Sequence, residues 1–148
     1  MTGNENTRTA TEAELMRLVV SYARAMDQNE PDILNDILTE DIVLMGPGFS
    51  ITGLAGVLAV PQALREQYSA TRHLVYNQTV MLDGDTAKGE TYSTASHLIK
   101  TDSDSKEVLN WEIRYQDQFR LCGGRWRIAR RELVVDWTET RPISCLPA

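Results

Sequence analysis

The chain has 148 residues, a length that fits one domain, and 42% of them are hydrophobic and 24% charged. Its formal net charge of −6 argues against nucleic acid or an anionic membrane surface as a partner, because both are polyanions. The N-terminus lacks the apolar core of a signal peptide and no apolar run is long enough to span a bilayer, so we expect a cytoplasmic protein.

The first part of the chain has the residue spacing of helices. Thr11 and Glu14 match a capping box, and apolar residues at helical spacing follow them. We therefore predict a first helix over about 12–28, preceded by a flexible segment over 1–10. Pro31 suits the first turn of a second helix, whose apolar stripe consists of Ile33, Leu34, Ile37 and Leu38.

Beyond residue 41 the pattern changes mainly to strands. An apolar strand at 42–45 and a Gly46-Pro47-Gly48 turn predict a short hairpin, and Pro61 begins a short third helix with the sequence PQALREQYS, at 61–69. Alternation with period two then predicts four long strands, at about 71–82, 86–99, 107–121 and 125–137. Helices followed by an antiparallel meander indicate an α+β domain over 11–138. The tail at 139–148 has two prolines and no periodicity.

Turn residues separate these long strands. Asp83-Gly84 joins the first pair and Gly123-Gly124 the last pair, whereas the polar segment 101–106 forms a longer loop between them. The two cysteines, Cys122 and Cys145, have no spacing typical of zinc ligands, and no disulfide between them is required. We expect no metal site, since two histidines on different strands without clustered carboxylates are only a weak indication of one.

The alternation also assigns side chains to the two faces of the sheet. His73 shares its face with Val75, Asn77, Thr79 and Met81. His97 shares its face with small residues, which leave room for a cavity: Ala87, Gly89, Thr91, Ser93 and Ala95. The next strand has a bulky face that we expect to fill the core, with Asp117 also on it: Trp111, Ile113, Tyr115 and Phe119.

Two features of the sequence leave alternatives open. Trp126, Ile128 and Arg130 alternate with a set that includes Arg131, Leu133, Val135 and Trp137, so either Arg130 or Arg131 faces inward and needs an anionic or hydrogen-bonding partner. Asp27 lies in the last turn of the predicted first helix. Its spacing alone indicates either a solvated carboxylate or an ion-pair partner of Arg24, three residues before it. A lone histidine in a strand is also more often structural or exposed than catalytic.

The order of these elements resembles the SnoaL-like group of the nuclear transport factor 2-like superfamily, over about residues 12–138. Three stretches carry the resemblance: YARAMDQNEPDILNDILTEDIVL at 22–44, TRHLVYNQTVMLDGDTAKGETYSTASH at 71–97, and GGRWRIARRELVVDW at 123–137. The resemblance implies a cone-shaped fold, in which N-terminal helices close a strongly curved sheet around a deep pocket. Family members include scytalone dehydratase, hexachlorocyclohexane dehydrochlorinase and a bile acid 7α-dehydratase.

The resemblance also implies site residues. An Asp at the end of the first helix pairs with a His on the first long strand in these enzymes, and Asp27 and His73 occupy those positions. His97 matches a second pocket histidine of scytalone dehydratase, and Tyr22 a tyrosine of the bile acid enzyme. Arg131 matches an arginine of the dehydrochlorinase. At the position of Tyr22, however, the dehydrochlorinase has a Lys, so we do not expect chloride elimination here.

An Asp–His pair is suited to general-base catalysis. The carboxylate fixes the tautomer of the ring, and the other ring nitrogen takes a proton from the substrate. We therefore expect a cofactor-independent lyase, of the dehydratase type or performing retro-aldol cleavage, in which His73 is the base and Asp27 orients it. Tyr22 or His97 protonates the leaving group or holds a carbonyl, and Arg131 stabilises developing negative charge.

Two alternative functions stay open, and so does the assembly. An isomerase or cyclase uses the same base, and a non-catalytic small-molecule-binding domain uses the same fold. The expected substrate is a small hydrophobic or aromatic ring compound, since such pockets are apolar with few polar anchors. Apolar residues on the face opposite His73 predict subunit packing in a homotrimer, with a dimer as the alternative: Leu74, Tyr76, Val80, Leu82, Tyr92 and Leu98.

Overall fold

The computed structural model describes residues 3–145 and contains helices followed by a mainly antiparallel sheet. The helices are α1 (Gly3–Gln28), α2 (Pro31–Ile37), α3 (Leu54–Leu58) and α4 (Val60–Gln67). The strands are β1 (Leu38–Gly46), β2 (Phe49–Thr52), β3 (Tyr68–Asp83), β4 (Thr86–Ile99), β5 (Lys106–Cys122) and β6 (Arg125–Ile143). The α+β class predicted from the sequence is confirmed.

The six strands form one sheet in the order β2-β1-β6-β5-β4-β3. All neighbouring pairs are antiparallel except β1 and β6, which are parallel and bring the N-terminal hairpin beside the last strand. The three long hairpin pairs of the C-terminal half therefore follow chain order, as the meander prediction required.

The first helix is longer than the sequence analysis predicted. It begins at Gly3, so Thr11 and Glu14 lie inside the helix and the predicted capping box is wrong. Residues 3–10, for which we expected a flexible segment, continue the same helix. The C-terminal end lies where expected: Asn29 adopts a positive φ of 54° and the Glu30 N–H donates to the Ala25 carbonyl at 3.0 Å, a Schellman-type end.

The short elements were placed with small errors. Helix α2 starts at Pro31 as predicted, but it ends at Ile37, so Leu38 belongs to β1 rather than to the helix. Helix α3 was not predicted, because LAGVL is too short to show a helical period. Helix α4 ends at Gln67, so β3 starts at Tyr68, before the predicted position.

A β-bulge in β3 reverses the faces predicted for its second half. Val75 pairs with Ser93 and Gln78 with Thr91, so two residues of β3 lie opposite one residue of β4. Val80 and Leu82 consequently pack against the core, whereas Met81 is 74% exposed. The prediction that Val80 and Leu82 lie on the outer face, with Thr79 and Met81 on the face of His73, is therefore wrong.

Two irregularities in the pairing of β5 with β6 change which side chains of β6 face the core, and the first determines which arginine faces inward. The register shifts between Phe119↔Ile128 and Gln118↔Arg130, which places both Ile128 and Arg131 on the core side. A second shift, beside Glu112, turns Trp137 outward, where it is 63% exposed, contrary to the predicted alternation. The strand also continues to Ile143, paired with Lys106, so most of the predicted tail is strand; residues 146–148 lie outside the described range.

The core lies between α1, α2 and the concave face of the sheet. The small residues of β4 leave space above this face of the sheet. At Gly89 the Phe119 ring fills that space, with its Cε2 atom 2.9 Å from the position that a Cβ atom on Gly89 would occupy. Toward the other end of the strand, beyond Ser93, the space stays open. Within residues 3–145, no helix is long and apolar enough to cross a membrane. Cys122 and Cys145 are both free thiols.

Candidate active site

A cavity of about 460 Å³ lies between the helices and the sheet. All six strands contribute side chains to it, so the sheet curves around the space. Most of the wall is apolar or aromatic, and the polar groups are two histidines, three tyrosines, a glutamine and the Trp111 indole. The lining residues with polar side-chain atoms are Tyr22, Gln67, Tyr68, His73, His97, Trp111 and Tyr115. A volume of this size accommodates a ring compound.

His73 is held on the cavity wall by Asp27. Nδ1 of His73 lies 2.6 Å from Oδ1 of Asp27, and the backbone N–H of His73 donates to Oδ2 at 2.8 Å. The Thr71 hydroxyl donates to Oδ1 at 2.9 Å. Because a carboxylate can only accept hydrogen bonds, Nδ1 carries the proton, and Nε2 is the nitrogen available to a molecule in the cavity.

The environment of Asp27 keeps it ionised. Burial alone would raise the pKa of Asp27, but the hydrogen bonds and charge of His73 and the Thr71 hydroxyl outweigh it, so the pKa is lowered. Arg24 pairs instead with Glu30, at 3.0 Å, so the simpler interpretation of Asp27 as a partner of Arg24 is wrong. The side chain of Asp27 is 15% exposed, toward a groove between α1 and β3 on the far side of His73 from the cavity.

This arrangement explains how Tyr22 and Asp27 both lie close to one cavity although they are five residues apart on a helix. Tyr22 is 4% exposed and lines the cavity directly. Asp27 does not line it; it stands behind His73 and reaches the site through the imidazole ring. The contact predicted between Asp27 and His73 is therefore present, with Asp27 behind the ring and not in the cavity.

His97 is buried beside His73, with their ring centroids 6.3 Å apart, and it packs against the Tyr68 and Trp111 rings. Its Nδ1 lies 3.1 Å from the carbonyl oxygen of Leu109, which fixes the proton on that nitrogen. Burial lowers the pKa of His97, although the Leu109 carbonyl opposes the effect. His97 is therefore neutral near pH 7.

Arg131 does not lie on the cavity wall. It is 1% exposed and forms two hydrogen bonds with the Asp117 carboxylate, at 2.8 and 2.7 Å. Its guanidinium carbon lies 4.2 Å from the centroid of the Tyr22 ring and 4.0 Å from that of Tyr115. Among the predicted site residues, the structure thus brings Tyr22, His73 and His97 to the cavity, with Asp27 and Arg131 behind them.

Several residues of the site were not assigned to it from the sequence. Tyr115 and Trp111 were expected to fill the core, and they do so while also facing the cavity. Tyr68 lay in the predicted third helix, and Thr71 had no assigned partner. The alternation on β5 placed Asp117 on the inner face, and the next strand was expected to have one inward arginine. These two observations together could have predicted that Asp117 pairs with Arg131. Among residues 3–145, no group of three or more His, Cys, Asp or Glu side chains could hold a metal ion.

Comparison with known proteins gives the same fold and order of elements. The SnoaL-like domain model matches residues 7–132. An uncharacterized protein of Mycobacterium tuberculosis is 26% identical over 125 residues, which cover 80% of each chain. A candidate scytalone dehydratase from Novosphingobium aromaticivorans superposes with a TM-score of 0.80 at 20% identity, covering 91% of this chain and 90% of that chain. A hexachlorocyclohexane dehydrochlorinase of type 2 gives a TM-score of 0.84 at 17% identity, covering 97% of both chains.

Proposed function

The chain belongs to the SnoaL-like domain family and has the nuclear transport factor 2-like fold, and from this premise we propose that it is a cofactor-independent lyase. The observation that carries the proposal is the 2.6 Å contact between Asp27 and His73 on the wall of an apolar cavity. A cavity that only binds a ligand has no need of a buried carboxylate that fixes a histidine tautomer.

The proposed reaction is an elimination from a small hydrophobic ring compound that bears a hydroxyl and a carbonyl group. Nε2 of His73 takes a proton from the carbon next to the bond that breaks, and the C–H electron pair forms the new double bond. The leaving hydroxide takes the bonding pair of the C–O bond. The Asp27 carboxylate stabilises the imidazolium that forms, because it faces Nδ1–H at 2.6 Å.

Tyr22 is the proton donor to the leaving group in this scheme. Its hydroxyl stays protonated, because the pKa of Tyr22 is raised, mainly by burial and to a smaller extent by the neighbouring Tyr115. His97 is excluded from that role, since its single proton is donated to Leu109 and its Nε2 is an acceptor. The proton on His73 then returns to the Tyr22 oxygen, so one substrate gives one unsaturated product and one water.

The proposal is tested by incubating the protein with a panel of cyclic β-hydroxy ketones. Dehydration gives a conjugated enone, which is followed by its ultraviolet absorbance and by the loss of one water in the mass spectrum. Release of a small aldehyde would indicate retro-aldol cleavage, and a product of unchanged mass would indicate an isomerase. A His73→Ala variant that turns over substrate as fast as the unchanged protein would reject His73 as the base.

A further inference from the structure

The Asp117–Arg131 pair is a fully buried ion pair directly beneath the cavity wall. The two side chains are 0% and 1% exposed, and both oxygens of the carboxylate accept from the guanidinium. A buried pair of this kind contributes little net stability compared with apolar residues of similar volume. Its position, rather than its contribution to folding, therefore needs an explanation.

Two tyrosines stack on the guanidinium. The Tyr22 ring from α1 and the Tyr115 ring from β5 lie 4.2 and 4.0 Å from its central carbon, and the two rings pack edge to face with centroids 6.1 Å apart. Both tyrosines line the cavity, whereas Arg131 itself does not. The guanidinium therefore lies behind the cavity wall, in contact with both phenol rings.

The electrostatics of the cluster keep both phenols protonated, as a hydrogen-bond donor has to be. Burial raises the pKa of Tyr115 as well as that of Tyr22, so both hydroxyls keep their protons. The charge of Arg131 opposes the effect of burial at both rings more strongly than Asp117 reinforces it. Asp117 in turn keeps Arg131 charged: burial would lower the pKa of the guanidinium, but the carboxylate outweighs it.

We propose that Tyr22 and Tyr115 form a paired donor site for a substrate oxygen that gains negative charge, and that the Asp117–Arg131 pair beneath them positions both rings and stabilises that charge. Tyr115 is then a further catalytic residue, and Asp117 and Arg131 are positioning residues that do not touch the substrate. Donors fixed in place before the reaction stabilise a developing oxyanion without reorganisation. The oxygen is the leaving hydroxide or an enolate oxygen, which share this chemistry.

This inference rests on the proposed lyase reaction, but it is tested by binding alone. The probe is 4-nitrophenol, whose phenolate and phenol forms have different absorbance spectra, and the control ligand is its methyl ether, 4-nitroanisole, which cannot ionise. Both are titrated into the full-length His73→Ala variant, so that the proposed base cannot accept the phenol proton. The measured quantity is the ratio of phenolate to phenol in the bound probe, compared with the ratio in free solution at the same pH.

In that background we expect the bound probe to be enriched in phenolate. Adding Tyr115→Phe should lower the phenolate-to-phenol ratio by about tenfold or more, as expected for one hydrogen bond to a charged group. The pair of substitutions Asp117→Leu and Arg131→Met keeps the core filled and should also lower the ratio, although neither residue touches the probe. Tyr92→Phe, on the outer face of β4, is the matched control and should leave the ratio unchanged. None of these substitutions should change the affinity for 4-nitroanisole by more than a few fold.

The donor site is overturned if 4-nitrophenol fails to bind, if its bound form is no richer in phenolate than in free solution, or if Tyr115→Phe leaves the ratio unchanged. An unchanged ratio in the Asp117→Leu/Arg131→Met protein, with its fold verified by circular dichroism, overturns the role of the ion pair. The outcome of this binding test is independent of whether the protein catalyses the proposed elimination. The lyase proposal fails when the protein with His73 intact forms no elimination product, whatever the spectrum of the bound probe.

Discussion

The Asp27 carboxylate binds His73 twice: Oδ1 lies 2.6 Å from Nδ1 of the ring, and Oδ2 accepts the backbone N–H at 2.8 Å. One side chain of α1 thereby fixes both the strand and the ring orientation of the proposed base. The helix ends at Gln28 with a Schellman-type end at Asn29, so Asp27 lies in its last turn and its carboxylate reaches the back of the His73 ring.

We predict that His73→Ala lowers kcat by about 10²–10⁴-fold, the usual contribution of a positioned general base. Asp27→Asn should also lower kcat, because an amide at this position no longer stabilises the imidazolium. Arg72→Gln is the matched control, since Arg72 is adjacent in the strand but exposed. The measurement is steady-state kinetics on the β-hydroxy ketone that turns over, together with circular dichroism of each variant. Equal losses in the Arg72 variant would contradict a specific role for the pair.

The same two residues illustrate how far the sequence allows prediction. The long strands and their turns were predictable, because period-two alternation and Gly-containing turns are local properties of the sequence. Asp27 and His73 lie 46 positions apart, and nothing local to either indicates the contact. Their pairing was predicted only because the order of elements resembles a known family, and the structure then supplied the distance.

The errors on the sheet faces have one physical cause. A bulge adds one residue to one strand and reverses every later side chain, yet it leaves no mark in composition. Val80 and Leu82 in β3 were assigned to the wrong face for this reason, as was Trp137 in β6. The choice between Arg130 and Arg131 was left open by the sequence, and it depended on the shift at Ala129.

The Asp117–Arg131 ion pair should show strongly non-additive effects on stability. Asp117→Leu leaves a buried guanidinium without its anion, and Arg131→Met leaves a buried carboxylate without its cation, so each should lower the free energy of unfolding by about 3–5 kcal/mol. The double substitution Asp117→Leu/Arg131→Met removes both charges and should cost far less than the sum of the single changes. Chemical denaturation of the two single variants and the double variant measures this. Additive losses would contradict a closely coupled pair.

Substitutions at two alanines of β4 should separate open space from packed core. Ala95 lines the cavity, whereas Ala87, on the same strand face, lies at its packed end. Ala95→Leu should weaken binding of 4-nitroanisole by about tenfold or more with little change in stability, because the added carbons enter the cavity. Ala87→Leu should instead lower the free energy of unfolding by about 1–3 kcal/mol through overpacking, with binding retained in the folded fraction. Loss of stability in Ala95→Leu and loss of binding in Ala87→Leu would contradict the assignment of the cavity as the binding site.

We propose that the exposed apolar side chains on the outer face of the sheet pack between subunits of a homotrimer, with a dimer as the alternative. Leu74, Tyr76 and Tyr92 are each between 41% and 46% exposed, and all three lie beside one another on β3 and β4. Size-exclusion chromatography with light scattering should give a multiple of the monomer mass. Tyr92→Glu should shift it toward the monomer, whereas Asp102→Asn in the exposed loop should not. A monomer for the unchanged protein would contradict the proposal.

His97 should make stability depend on pH in a defined window. The folded-state pKa of His97 is lowered by burial, which outweighs the opposing hydrogen bond with the Leu109 carbonyl, and smaller effects of His73 and Asp27 oppose each other; an unfolded histidine has a pKa of about 6.5. Between the folded and unfolded values the unfolded chain binds more protons. The contribution of neutral His97 is therefore fully present above about pH 6.5, is lost progressively as pH falls, and stops changing below the folded pKa. We expect His97→Gln to flatten this part of the curve when free energies of unfolding are measured by denaturant titration between about pH 8 and pH 5. The same slope in both proteins would show that His97 is not the group responsible.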